Sequence, residues 1–287
     1  MRVIVTGASG ALGAFVLETL ARRGDSVVAL SGTTEGERSG FTLRPIDLSR
    51  SEQVFKTFDE ASPVLVIHLA AITSSAECLR NREQAFASNV VATDHIAGWC
   101  GANGCRLVFA STDLVFSGDK APYREDDPPD PWLFYGQLKR QGEMRVLQVP
   151  DALVARLPLM YGRSRCGRPG FFDAALADLA AGKPRAFFDD EYRTPLDYAT
   201  AAEALVGLTA IGATGIVHVA GAERVSRFDL MRRVANGSRL DATLVLANQR
   251  SDAPGPEPRP ADLSLETERL MTVLPGLRRP TIEEAMA

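Results

Sequence analysis

The 287-residue chain is short of lysine: Lys56, Lys120, Lys139 and Lys183 are the only ones, although lysine and arginine together number 32. A lysine inside a motif is therefore harder to ascribe to chance. Histidine is scarcer still, with His68, His95 and His218 alone. These stand at no metal-ligand spacing, and His68 and His218 lie in apolar runs that read as core, so no metal site is expected. The four cysteines, Cys78, Cys100, Cys105 and Cys166, include no CxxC pair. That excludes a zinc ribbon or a disulfide framework and leaves reduced thiols as the expectation. Positive charge is not in excess: with 36 acids the formal net charge is −4, which argues against nucleic acid or an anionic membrane as partner. No apolar run approaches the length of a membrane span, and the start passes straight into Val3-Ile4-Val5 with no h-region or cleavage signal, so nothing argues for export. A cytoplasmic location is expected. Internal repeats and low-complexity tracts are missing too.

What is there is an alternation of apolar runs and helix-like segments. Met1 to Thr6 ends in a glycine turn. Ala11 to Arg23 then places Leu12, Phe15, Val16 and Leu20 at helical spacing, with Gly24 where a helix stops. "SVVALS" from Ser26, "PVLVIHLAA" from Pro63, "CRLVFAST" from Cys105 and "ALVARLPLMYG" from Ala152 are further apolar runs. Nearly all-apolar strands alternating with amphipathic helices predict a parallel sheet covered on both faces. The expected fold is therefore α/β, a Rossmann-type doubly wound parallel sheet over residues 1–160. Residues 161–287 would form a smaller C-terminal α/β substrate-binding part, interleaved with the first. In that part "AFFDDEYRTP" suggests a hairpin pivoting on Asp189-Asp190. "TGIVHVAG" suggests a strand, and Pro-rich "APGPEPRPAD" (253–262) must be loop.

"VTGASGALG" (5–13) spaces glycines at 7, 10 and 13 between a strand and a helix. Such spacing alone is also an ordinary tight turn. In this context the turn lets backbone approach a pyrophosphate while the helix N-terminus favours its charge. NAD binders usually carry an acid at the end of the second strand. Here that end reads Ser31-Gly32-Thr33-Thr34, with Arg38 within reach of the loop. NADP(H) is the preferred expectation and NAD(H) the alternative. Arg38 by itself reads more readily as a solvated loop residue.

"YGQLKRQGE" puts Tyr135 and Lys139 four residues apart on a helix, hence on one face. An ammonium beside a phenol stabilises phenolate, lowers the phenol's pKa and can hold a ribose. The bland alternative is an ordinary amphipathic helix. Twenty-three residues earlier Ser111 and Thr112 end an apolar strand, where open parallel sheets bind ligands. Either hydroxyl can donate to a substrate carbonyl, or simply cap a turn.

The order glycine turn, hydroxyl, Tyr/Lys resembles the extended short-chain dehydrogenase/reductase family. "STDLVFSGDKAPYREDDPPDP", "YRTPLDY", "GIVHVAGAERVSRFDL" and "RPADLSLET" are most similar to its dTDP-4-dehydrorhamnose reductase branch, nearly end to end. The resemblance implies Thr112, Tyr135 and Lys139 as the catalytic set. It implies cofactor contacts at Gly7, Ser9, Gly10, Ala11, Leu12, Gly13, Ser31, Asp47, Leu48, Ala70 and Ala71, as well as Tyr135 and Lys139. Asp47 is also readable as a helix cap. Asn89, Thr112, Asp113, Leu159 and Arg193 are the substrate-side candidates; Arg193 suits either substrate phosphate or a salt bridge to Asp190 or Glu191. A nucleotide sugar is the implied small-molecule partner, with room for a homodimer. Leu159 in "RLPLMYG" stands where the branch often carries a tryptophan. Three other activities share the scaffold. A sugar 4,6-dehydratase would need Glu where Leu114 stands. An epimerase usually has a VYG where Val115-Phe116-Ser117-Gly118 stands. The NADP-binding regulatory subunit of methionine adenosyltransferase has a segment like "RLPLMYG".

Overall fold

The computed structural model describes residues 1–252 and 255–287. The first half runs β1 (Arg2–Thr6), α1 (Ala11–Arg23), β2 (Ser26–Ser31), β3 (Gly36–Arg38), β4 (Phe41–Pro45), α2 (Ser51–Ala61) and β5 (Leu65–His68). Next come α3 (Ser75–Arg80), α4 (Arg82–Phe86), a π-helical turn (Ala87–Val91), α5 (Ala92–Asn103), β6 (Arg106–Thr112), α6 (Phe134–Val146) and β7 (Leu153–Leu157). The remainder begins with β8 (Met160–Tyr161), α7 (Phe171–Ala180), β9 (Arg185–Phe188), β10 (Tyr192–Arg193), β11 (Leu196–Asp197) and α8 (Tyr198–Ala210). It closes with β12 (Gly215–His218), β13 (Val225–Ser226), α9 (Arg227–Gly237), β14 (Val245–Asn248), α10 (Glu268–Val273) and α11 (Ile282–Met286).

The large sheet has the order β12-β7-β6-β5-β1-β2-β4-β3. Every pairing in it is parallel except that of β3 with β4. This is the doubly wound sheet the sequence predicts. Two apolar layers sandwich it. One packs Phe15, Val16 and Leu20 of α1 with Leu205 and Leu208 of α8; the other gathers Phe58 of α2, Trp99 of α5 and Phe109 of β6. Strands whose two faces are both covered can afford no polar alternation, and so they read as continuous apolar runs. The strand order reverses at β1, between β2 and β5, and there the crevice at the strand ends opens.

The strand read in "TGIVHVAG" is β12, an edge of the large sheet beside β7, so residues beyond 161 help build the sheet as well as the lobe. That lobe has its own apolar cluster, with Phe172 and Leu176 of α7, Leu230 and Val234 of α9, and Ile282 of α11. The hairpin expected at Asp189-Asp190 does not form. β9 pairs in parallel with β14, sixty residues on, and β10 pairs with β13. The two acids are instead bonded to the segment after β14: Asp190 to the Arg250 amide at 2.9 Å and its guanidinium at 3.1 Å, Asp189 to Gln249. Of the Pro-rich segment, Ala253 and Pro254 lie outside the described residues, and 255–261 hold neither helix nor strand. Among the described residues no helix is long and apolar enough to cross a membrane.

Candidate active site

The glycine turn is built to carry no side chains. Gly7 sits at φ 68°, and a Cβ there would fall 2.7 Å from the Ala70 amide nitrogen, so the ends of β1 and β5 touch only because it is glycine. A Cβ on Gly13 would overlap the Gly7 carbonyl oxygen. Gly10 caps α1 in extended conformation with no side-chain bond to the helix, and the first turn carries no acid. The unpaired amides and positive dipole end of α1 therefore face the crevice, which is what an anion requires. This bare cradle fits a dinucleotide pyrophosphate.

The crevice is part of a cavity of about 820 Å³. Gly7, Ser9, Gly10, Ala11, Leu12, Gly13, Ala70 and Ala71 line one side, and Thr112, Asp113, Tyr135, Lys139, Leu159 and Arg193 also face it. Ser31, Asp47, Leu48 and Asn89 do not line its wall. Ser31 ends β2 and donates to the Thr34 carbonyl at 2.5 Å, while its neighbour Gly32 lines the cavity. Asp47 accepts from the amide and hydroxyl of Ser49 at 3.0 and 2.6 Å, and the Leu48 carbonyl meets His95 Nδ1 at 3.2 Å. Asn89 is buried in the π-helical turn. Its side chain accepts from the Ile72 amide at 2.8 Å and donates to the Ile72 carbonyl at 2.9 Å, pinning the segment after β5.

β6 delivers Thr112 at its C-terminal end, where the hydroxyl caps the following turn by accepting from the Leu114 amide at 3.2 Å. It donates to Asp113 Oδ1 at 3.1 Å and lies beside the Tyr135 phenol. Burial pushes the Tyr135 phenol above its ordinary pKa, with the Asp113 and Cys78 charges adding to the effect. That corrects the expectation that Lys139 lowers it. The ammonium lies 3.9 Å from the centre of the Phe109 ring, and burial brings Lys139 itself down to about 7 against the support of Glu143.

The i, i+4, i+8 face of α6 continues to Glu143, which is fully buried. Its carboxylate accepts from Ser111 Oγ at 2.7 Å and from Arg156 Nε and Nη2 at 2.9 and 3.1 Å. Through these bonds Glu143 locks α6 to β6 and β7. Glu143 stands four residues past Lys139, so helical spacing alone carried a signal for it. Its partner Arg156 carried none.

On the opposite wall Arg193 faces Asp113 at 3.6 Å and Glu191 at 3.1 Å; Asp190 belongs to Arg250 instead. Glu191 also meets Arg227 at 3.2 Å and Arg259 at 3.8 Å. Burial raises Asp113 to about 6, with the Arg193 charge opposing. Among the described residues Asp113 Oδ2 and Glu191 Oε2 are buried with no hydrogen-bond partner and face the longer ion-pair contacts to Arg193 and Arg259, so this wall is polar. His68 and His218 lie in the core: His68 meets Thr6 at 2.7 Å and Thr93 at 3.0 Å, and His218 lies 3.3 Å from Arg156. Among the described residues no cluster of three or more His, Cys, Asp or Glu side chains could hold a metal.

The family described as RmlD substrate binding domain matches residues 1–286. A probable low-salt glycan biosynthesis reductase, Agl14, of Haloferax volcanii is 33% identical, over 100% of this chain and 96% of its own. A dTDP-4-dehydrorhamnose reductase of Mycobacterium tuberculosis is 32% identical over 93% and 86%. Methionine adenosyltransferase 2 subunit beta of Bos taurus is 27% identical over 97% and 84%. Among solved structures, a hypothetical dTDP-4-dehydrorhamnose reductase from Sulfolobus tokodaii has a TM-score of 0.86 at 30% identity, covering 99% of this chain and 98% of that one. The chain belongs to the RmlD family, the dTDP-4-dehydrorhamnose reductase-like branch of the extended short-chain dehydrogenases/reductases.

Proposed function

We propose that this protein is an NAD(P)H-dependent reductase of a nucleotide-activated 4-keto-6-deoxysugar, with NADP(H) preferred and NAD(H) the alternative. The observation that carries this is the convergence of Thr112, Tyr135 and Lys139 on one cavity with the bare glycine cradle. Gly7, Ser9, Gly10, Ala11, Leu12 and Gly13 would hold the pyrophosphate, and Ala70 and Ala71 would flank it. Ser31, Asp47 and Leu48 would border the adenosine end, where the strand end Ser31-Gly32-Thr33-Thr34 sets no acid against a 2′-phosphate. When bound, the dinucleotide supplies a hydride to the carbonyl carbon.

Each protein group then has one task. Thr112 fixes the carbonyl oxygen by hydrogen bonding. Tyr135 gives its phenolic proton to that oxygen as negative charge develops there, so ketone plus hydride plus proton becomes alcohol. Lys139 binds the ribose and offsets the phenolate left on Tyr135. Asn89 holds the strand-end segment at Ile72 in place. Asp113 and Leu159 face the sugar, and Arg193 faces its diphosphate; residues 161–287 supply Arg193 and, with Glu191 and Arg227, the wall around it. Leu159, in place of the frequent tryptophan, offers a smaller apolar surface and shifts which sugar is held.

The competing regulatory reading is supported by the 27% identity to the methionine adenosyltransferase subunit, below that of either reductase. The separating experiment is NADPH oxidation with dTDP-4-dehydro-L-rhamnose by wild type and Tyr135→Phe. We expect turnover that falls at least about a hundredfold in the variant. NADPH binding without turnover on this or related 4-keto sugar nucleotides would favour the regulator, and retention of rate by Tyr135→Phe would remove Tyr135 as proton donor.

A further inference from the structure

The loop 162–170, between β8 and α7, folds back across the crevice onto the glycine turn. Gly167, at φ 73°, turns the chain so that Arg168 reaches the cavity wall that Ser9, Gly10 and Gly32 also line. Arg168 Nη2 lies 3.4 Å from the Ser9 carbonyl oxygen. Arg38, at the end of β3, reaches the same place from the other side. It donates to the Cys166 carbonyl at 2.8 Å and lies 3.4 Å from the Ala8 carbonyl. A third arginine, Arg165, is engaged with Glu18 at 2.5 Å and lies over the Phe15 ring. Arg38 and Arg168, by contrast, have no carboxylate partner among the described residues, and their contacts are backbone carbonyls.

Two guanidiniums therefore converge beside the end of β2 without a countercharge. The convergence is felt at Cys166: burial pushes that thiol up, but Ser164, the Arg168 backbone and the two guanidiniums together bring it below its ordinary value. In a doubly wound sheet the adenosine ribose lies over the end of the second strand, next to the glycine turn. Any acid at Ser31, Gly32, Thr33 or Thr34 would neutralise the two arginines, and none is there. Carbonyl contacts hold a guanidinium in position but leave its charge unanswered, and a phosphate dianion answers it with paired N–H donors.

We propose that Arg168, brought across from the C-terminal part of the chain, closes a 2′-phosphate site with Arg38, so that coenzyme choice is set by the loop 162–170. The site rests on the NADP(H) preference above and adds to it a residue outside the first 160. Arg38 also braces the loop through the Cys166 carbonyl, which makes Arg168 the cleaner position to test; its side chain is exposed at the rim, so its loss leaves folding intact.

The experiment is equilibrium binding, without turnover, of NADPH, NADH, 2′,5′-ADP and 5′-AMP to wild type, Arg168→Gln and Arg168→Lys. Wild type should prefer NADPH and 2′,5′-ADP. Arg168→Gln should weaken those two about tenfold or more and leave NADH and 5′-AMP within about twofold, with Arg168→Lys between. Equal weakening of NADPH and NADH would place Arg168 on the pyrophosphate and overturn the assignment. An NADPH preference unchanged in Arg168→Gln would overturn it while leaving the NADP(H) reading standing. Equal wild-type affinity for NADPH and NADH would overturn both.

Discussion

Glu143→Ala is the substitution whose cost follows most directly from the structure. Glu143 and Arg156 are both fully buried, and the carboxylate binds Arg156 through two bonds of 2.9 and 3.1 Å. At about 3 Å and an effective dielectric of about 20, their gross attraction is roughly 5 kcal/mol. Arginine cannot shed its proton. Without Glu143 it keeps, among the described residues, His218 Nε2 at 3.3 Å, the Glu125 carbonyl at 3.5 Å and the Phe116 ring at 4.9 Å, none of them an anion. Stranding one partner of a buried pair costs about 3–5 kcal/mol, and the Ser111 hydroxyl loses its acceptor for about 1 kcal/mol more. Urea unfolding at pH 7 should therefore show a midpoint shift of that size with the slope unchanged. Glu143→Leu combined with Arg156→Met removes both charges and should recover most of the loss, giving a large coupling in the double-mutant cycle. A single-variant loss below about 1 kcal/mol, or additive losses, would refute the claim that this pair locks α6 to the sheet. The double variant also deprives Lys139 of the carboxylate that supports its charge, so NADPH binding should lose strength at a lower pH than in wild type.

Burial holds Lys139 at about 7 against an ordinary 10.5, so between those values the unfolded chain binds the extra proton and stability rises with pH. Lys139→Met should flatten that slope in urea titrations run between pH 7 and 10, and an unchanged slope would disprove the assignment. Wild-type NADPH binding should strengthen as pH falls through about 7, because the ammonium then carries its charge; fluorescence titrations across that range check the direction. A Cβ on Gly136 would overlap the Leu114 carbonyl oxygen. Gly136→Ala should therefore cost about 1–3 kcal/mol in urea unfolding, where an exposed helix site would gain about 1 kcal/mol, and should lower kcat by disturbing the Thr112–Tyr135 contact. Gly13→Ala places its methyl against the Gly7 carbonyl, and calorimetry should find coenzyme binding weakened at least tenfold, about 1.4 kcal/mol.

The sequence by itself determined what is local or periodic. Continuous apolar runs announced β1, β2, β5, β6 and β7, because a strand covered on both faces has no polar side to show. The glycine spacing announced the cradle at 7–13, because only backbone fits where the ends of β1 and β5 meet. Helical spacing put Tyr135 and Lys139 on one face; Glu143 shares that face, but its part emerged only from its burial against Arg156. Tertiary structure alone decided what depends on partners far along the chain. β9 found β14 rather than β10, since parallel pairing leaves no mark on a four-residue run. Burial, invisible in spacing, raised the Tyr135 phenol and lowered the Lys139 ammonium. Arg38 and Arg168 stand 130 positions apart, and no periodicity connects them. They come together because the loop 162–170 folds back over the crevice, which sets a residue far beyond the strand-end pattern beside Arg38.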